Sequence, residues 1–131
     1  MRLFLTLLAA TMLMVVNGQT LLEQEHWPDG TLRATRYSDG DRIHFITYHE
    51  NGQVKEMGCF RKGRRDGIWK QYSDTGALLT RAGFRDGERQ GVWEFRDVQD
   101  LPMGQLRYSS GRLTHGTRYD AGGALASHRT Y

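Results

Sequence analysis

The chain has 131 residues, 18 Lys and Arg against 15 Asp and Glu, and a single cysteine, Cys59. One cysteine excludes an internal disulfide framework, and a formal charge of +3 is too balanced to announce a nucleic-acid binder. A chain of this length is one domain by size, so side-chain packing has to hold it together.

The first eighteen residues read as a segment apart. Arg2 precedes an uncharged apolar stretch over 3–16, and Val16 and Gly18 stand at the −3/−1 spacing of small residues before a cleavage point. That pattern describes a secretory signal peptide, and the stretch falls short of the roughly 20 residues a spanning helix needs. The expectation is a signal-peptide helix over 1–18 and an exported chain, periplasmic or secreted, with an uncleaved anchor as the alternative. Residues 19–25 then form a short N-terminal segment, and 26–131 the body of the protein.

The body repeats. Trp69 and Trp93 stand 24 residues apart, as do Phe60 and Phe84, Gly63 and Gly87, Gly67 and Gly91, and Gly52 and Gly76. Weaker copies flank these two units, around Asp29-Gly30 and Tyr37 to Tyr48 upstream, and Tyr108 to Gly111 and Gly123 to Leu125 downstream. Residues 97–107 keep the length of a half-repeat without its glycine signature, and Pro102 interrupts them. About four repeats and a terminal fragment result. A fixed interval of this size marks a repeat architecture.

Within each unit, stretches such as Ile68-Trp69-Lys70-Gln71-Tyr72 are rich in aromatic and β-branched residues and are bounded by Asn-Gly, Lys-Gly or Asp-Gly. Those are strands and tight hairpin turns. Two strands and two turns fill one unit, and short connections pair sequence neighbours. The predicted fold is all-β: an elongated, single-layer antiparallel meander of β-hairpins. Phe45, Trp69 and Trp93 should form one column, and Tyr37, Phe60, Phe84 and Tyr108 another. Strand alternation puts Ile68, Lys70 and Tyr72 opposite Trp69 and Gln71. Gly58, Gly83 and Gly91 are positions where a ring can lie flat on bare backbone.

Asn51-Gly52, Lys62-Gly63, Asp66-Gly67-x-Trp69 and Tyr72, recurring as Gly76, Asp86-Gly87 and Gly91-x-Trp93, resemble the variant MORN repeat. Bacterial proteins with such repeats are often grouped as YwqK-type antitoxins. The resemblance implies a hairpin-repeat sheet with a binding role, and it carries no catalytic residues.

Chemistry-bearing constellations are sparse. His26, His44, His49, His115 and His128 fall in different repeats without convergent spacing, so they read as solvated or locally bonded imidazoles, not as metal ligands. Asp39, Asp41, Asp66, Asp86, Asp97 and Asp100 read as turn residues. No nucleophile elbow, phosphate loop or catalytic carboxylate pair is present. The expectation is therefore a non-enzyme without cofactor or metal. Its candidate binding surface is Phe45, Trp69, Tyr72, Trp93 and Phe95, set to contact another protein, with Trp69 and Trp93 as plain core residues the alternative reading. Arg61, Lys62, Arg64 and Arg65 form a basic patch, giving an anionic membrane or envelope polymer as the alternative partner. Nucleic acid is disfavoured, and a role as antitoxin or immunity protein rests on the resemblance alone.

Overall fold

In the computed structural model, residues 15, 16 and 18–131 are described, and they form twelve strands. In chain order these are β1 (Val15–Val16), β2 (Gln19–His26), β3 (Leu32–Asp39), β4 (Arg42–Tyr48), β5 (Val54–Arg61) and β6 (Arg64–Tyr72), then β7 (Leu78–Arg85), β8 (Glu88–Arg89), β9 (Gly91–Arg96), β10 (Pro102–Ser109), β11 (Arg112–Tyr119) and β12 (Leu125–Thr130). All join one antiparallel sheet in which each strand pairs with its sequence neighbour; β8 lies off the path and pairs with β7. The meander is as expected. Of the signal-peptide helix expected over 1–18, residues 1–14 and 17 lie outside the described residues; Val15–Val16 is strand, pairing with Gln19 and Thr20 at the start of β2, and Gly18 lies in the turn between.

Two kinds of turn alternate. On one side of the sheet, Lys62-Gly63, Asp86-Gly87 and Ser110-Gly111 carry positive φ at both central residues (50° and 74°, 48° and 82°, 47° and 80°). This is the mirror-image turn whose twist matches that of the strands it joins. On the other side, residues 27–31, 49–53, 73–77, 97–101 and 120–124 make one recurring turn. Its first N–H donates to the fifth carbonyl, and its fourth N–H donates back to the first carbonyl.

The fourth position of that turn needs positive φ and is Gly30, Gly52, Gly76 and Gly123 in four of the copies. In the fifth it is Asp100, at φ 66° and paired with Arg96 at 2.7 Å. The missing glycine signature over 97–107 is therefore a substitution inside an intact turn, since aspartate enters the left-handed region more readily than most residues. Asp100→Ala is expected to cost about 1 kcal/mol, whereas Asp100→Gly, which loses only an exposed ion pair, should stay within about 0.5 kcal/mol of the parent. Thermal denaturation of the two variants side by side checks this.

Among the described residues the sheet has no second layer, and the buried apolar side chains are few: Ala34, Cys59, Trp69, Ala82 and Tyr108. Asp66 does not occupy a turn. It lies within β6, buried, with Cys59 as its cross-strand partner and Arg42 Nη2 at 3.3 Å. Beyond it, Gly67 (φ 75°) marks a bulge where the register with β5 shifts, and Gly91 (φ 74°) marks the matching break between β8 and β9. Bulges of this kind re-aim the side chains that follow, here Trp69 and Trp93.

Candidate functional site

Cross-strand partners in an antiparallel sheet project from the same face, so the register sorts the side chains. One face carries Phe45, Phe60, Trp69, Phe84, Trp93 and Tyr108 as a single zigzag row, not the two columns expected. Along it, ring centroids lie 6.3 Å apart for Phe45–Trp69, 5.1 Å for Phe60–Trp69, 6.4 Å for Trp69–Phe84, 5.2 Å for Phe84–Trp93 and 5.1 Å for Trp93–Tyr108. The contacts are tilted or edge-on, which suits the ring quadrupoles. Tyr37 is not in the row. It partners His44, on which it stacks at 4.8 Å, and His44 partners Cys59, all on the opposite face.

The two tryptophans occupy equivalent places. Trp69 Nε1 donates to the Cys59 carbonyl at 3.2 Å, and Trp93 Nε1 to the Gly83 carbonyl at 3.0 Å. Beneath Trp69 lies Gly58, where an added Cβ would fall 2.2 Å from the ring. Gly83 and Gly91 do not carry rings in this way: a Cβ at Gly83 would strike the Gln90 carbonyl, and one at Gly91 would meet nothing within 4 Å. The better match to Gly58 is Ala34 and Ala82, each 24 residues away, buried, and on the aromatic face opposite Thr47 and Trp69. Small residues in phase with the rings are a sequence signal that a search for aromatics and glycines passes over.

Arginines cap the row. The guanidinium carbon of Arg65 stands 4.7 Å from the Trp69 ring centre and 5.4 Å from that of Phe84. Arg89, 24 residues on, lies 5.7 Å from Trp93 and 5.4 Å from Tyr108, and Arg36 lies 5.7 Å from Phe45. Each such contact contributes on the order of 0.5–1 kcal/mol where water has access. The arginines also shield the rings, so the face presents cations over an aromatic floor. Between Trp69 and Phe95 it opens into a groove of ≈ 290 Å³, with Glu56, Arg65, Gln71, Trp93 and Phe95 in its lining.

The structure thus brings Phe45, Trp69, Trp93 and Phe95 together and leaves Tyr72 apart. The Tyr72 hydroxyl lies 3.9 Å from Met57 Sδ, on the opposite face. The basic patch also divides. Arg65 belongs to the aromatic face. Arg61 and Arg64 are cross-strand partners on the other, where Arg61 meets Asp86 at 3.7 Å. Lys62 sits exposed in the turn between them.

The opposite face holds the remaining chemistry. Burial pushes the Cys59 thiol up; the Arg42 charge opposes this, and Asp66 reinforces it. A thiol shifted this way is protonated at neutral pH and a poor nucleophile. Among the described residues no three or more His, Cys, Asp or Glu side chains converge as a metal cluster. Two of the five histidines do meet: the His115 and His128 rings lie 5.9 Å apart across β11 and β12.

No curated protein matches the chain. Residues 43–62, which comprise β4 from its second residue, the turn after it, β5 and the first turn residue beyond, match the family model of the MORN repeat variant, so this hairpin is similar to that repeat.

Proposed function

We propose that the chain is an exported, non-catalytic repeat scaffold that binds another protein through the aromatic face of its sheet. The observation that carries this reading is the continuous row from Phe45 to Tyr108 on one face of a single-layer sheet, opening into the groove beside Phe95. Among the described residues only the sheet's own arginines cover this face, and a part-exposed apolar strip of that kind marks an interaction surface. The MORN repeat match over 43–62 supports a scaffold over an enzyme.

Within the row the roles divide by exposure. Trp69 is only 6% exposed and serves the sheet itself. Trp93 and Phe95 are part-exposed and line the groove, so they are the anchors a partner would reach, with Arg65 and Arg89 displaced or paired as it docks. The division of the basic patch between faces favours this reading over an anionic surface as partner.

Pull-down from an envelope fraction tests it, comparing the parent with Phe95→Ala, Trp93→Ala and the opposite-face control Tyr72→Ala, each checked for retained β structure by circular dichroism. The aromatic-face variants should lose partners that Tyr72→Ala keeps. Folded Phe95→Ala and Trp93→Ala proteins that retain every partner would reject the reading.

A further inference from the structure

We propose that His115 and His128 form a surface site for a divalent transition-metal ion of the Zn²⁺, Ni²⁺ and Cu²⁺ class, ligated through both Nε2 atoms. The site lies on the face opposite the aromatic row. His115 partners Thr130, and His128 partners Thr117, so the two imidazoles form a diagonal pair on one side of β11 and β12. Their ring centres are 5.9 Å apart with planes inclined at 31°. Two imidazoles on one ion, each with a metal–nitrogen bond of ~2.1 Å, place their ring centres roughly 5–6 Å apart.

The hydrogen bonds around the pair select the ligating nitrogen. Thr114 Oγ1 donates its one proton to the Arg107 carbonyl at 3.1 Å. It can therefore only accept from His115 Nδ1, 2.9 Å away. The His115 proton is thereby held on Nδ1, and Nε2 keeps its lone pair. Thr117 Oγ1 stands 3.0 Å from His128 Nδ1 and can accept in the same way. Histidine ligands characteristically donate the other ring N–H to an oxygen that fixes tautomer and orientation; here two threonine hydroxyls supply that shell.

The pair borders a concave patch that Val92, Gln105 and Arg107 help to line. Gln105, the cross-strand partner of Thr117, offers an amide oxygen as a third donor, with water completing the coordination. Arg107, the cross-strand partner of His115, opposes any cation. That penalty leaves only ions with strong affinity for imidazole, and excludes the hard ions that prefer carboxylate oxygen. With two imidazoles, the site is a weak, exchangeable one, not a structural one.

Calorimetric titration of untagged full-length protein with ZnCl₂, NiCl₂ and CuSO₄ at neutral pH tests this. One equivalent should bind in the micromolar range, and His115→Gln or His128→Gln should each weaken binding at least tenfold. Thr114→Val keeps both imidazoles but releases the Nδ1 proton, and should weaken it several-fold. In NMR spectra, substoichiometric Ni²⁺ should broaden the His115 and His128 ring resonances before those of His44 and His49. Because His128 is exposed on the edge strand β12, His128→Gln leaves the sheet intact. Undiminished binding in folded His128→Gln, or absence of stoichiometric binding by the parent, overturns the proposal. So does a phosphate titration that moves these resonances while metal does not, which would assign an anion site built on Arg107.

Discussion

Gly58→Ala should destabilise the protein by on the order of 3 kcal/mol, the upper end of the usual cost of overpacking. The added methyl would fall 2.2 Å from Trp69 Cδ2, 2.3 Å from Cε2 and 2.5 Å from Cε3, so it meets the body of the ring. The ring has little room to retreat. Phe60 meets it edge-on at 5.1 Å, Arg65 covers it, and its Nε1 is tied to the Cys59 carbonyl. Urea unfolding followed by tryptophan fluorescence reads the cost. A smaller ring should relieve the clash, so Gly58→Ala combined with Trp69→Phe should be less destabilised than the two single losses summed. A Gly58→Ala protein within about 0.5 kcal/mol of the parent would show that Trp69 does not rest on this glycine.

Trp69→Ala should be the most damaging single truncation, at about 4 kcal/mol. Trp69 is 6% exposed, and its ring contacts Phe45, Phe60 and Phe84, so removal leaves a hole in the middle of the row. Against a total folding free energy of about 5–15 kcal/mol, that is a large fraction. Trp93→Ala should cost about half as much, since loss scales with the area withdrawn from water and this ring is part-exposed. Denaturation of the two variants in parallel gives the ratio. Equal losses, or a greater loss at Trp93, would overturn the division between a structural and a docking tryptophan on which the binding reading depends.

The hairpins, their order and the 24-residue interval were legible in the sequence because turn chemistry and repeat length are local properties. The glycine-second turns at Lys62-Gly63 and Asp86-Gly87 announce themselves. What pairing across strands decides was harder to read. The interval of 24 from Phe60 leads back to Arg36, not Tyr37, and that one-residue difference turns Tyr37 to the far face. The merging of two columns into one row follows from register, which places Phe60 beside Arg65 and Trp69 beside Ala82. Asp100 hid a turn because aspartate took glycine's conformation. His115 and His128, thirteen residues apart, meet only because the turn at 120–124 folds β12 back along β11. Of the candidate surface, the shared face of Phe45, Trp69 and Trp93 was recoverable from the 24-residue interval; Phe95 stands at the place of Gln71 and reaches that face only by alternation from Trp93. Arg65 and Arg89 were not, since their importance lies in which rings they cover.

Backbone pairing joins each strand only to those beside it, and side chains reach at most about one strand further, as Phe45 does to Trp69; that sets how the molecule comes apart and how it can change length. Among the described strands, interior hairpins are braced from both flanks while β1 and β12 are braced from one, so interior hairpins should exchange their amides last. By the same logic, duplication or loss of one 24-residue unit shifts everything beyond it by two strand spacings, about 10 Å, and disturbs no distant packing. Such a ruler can be cut or extended in whole divisions.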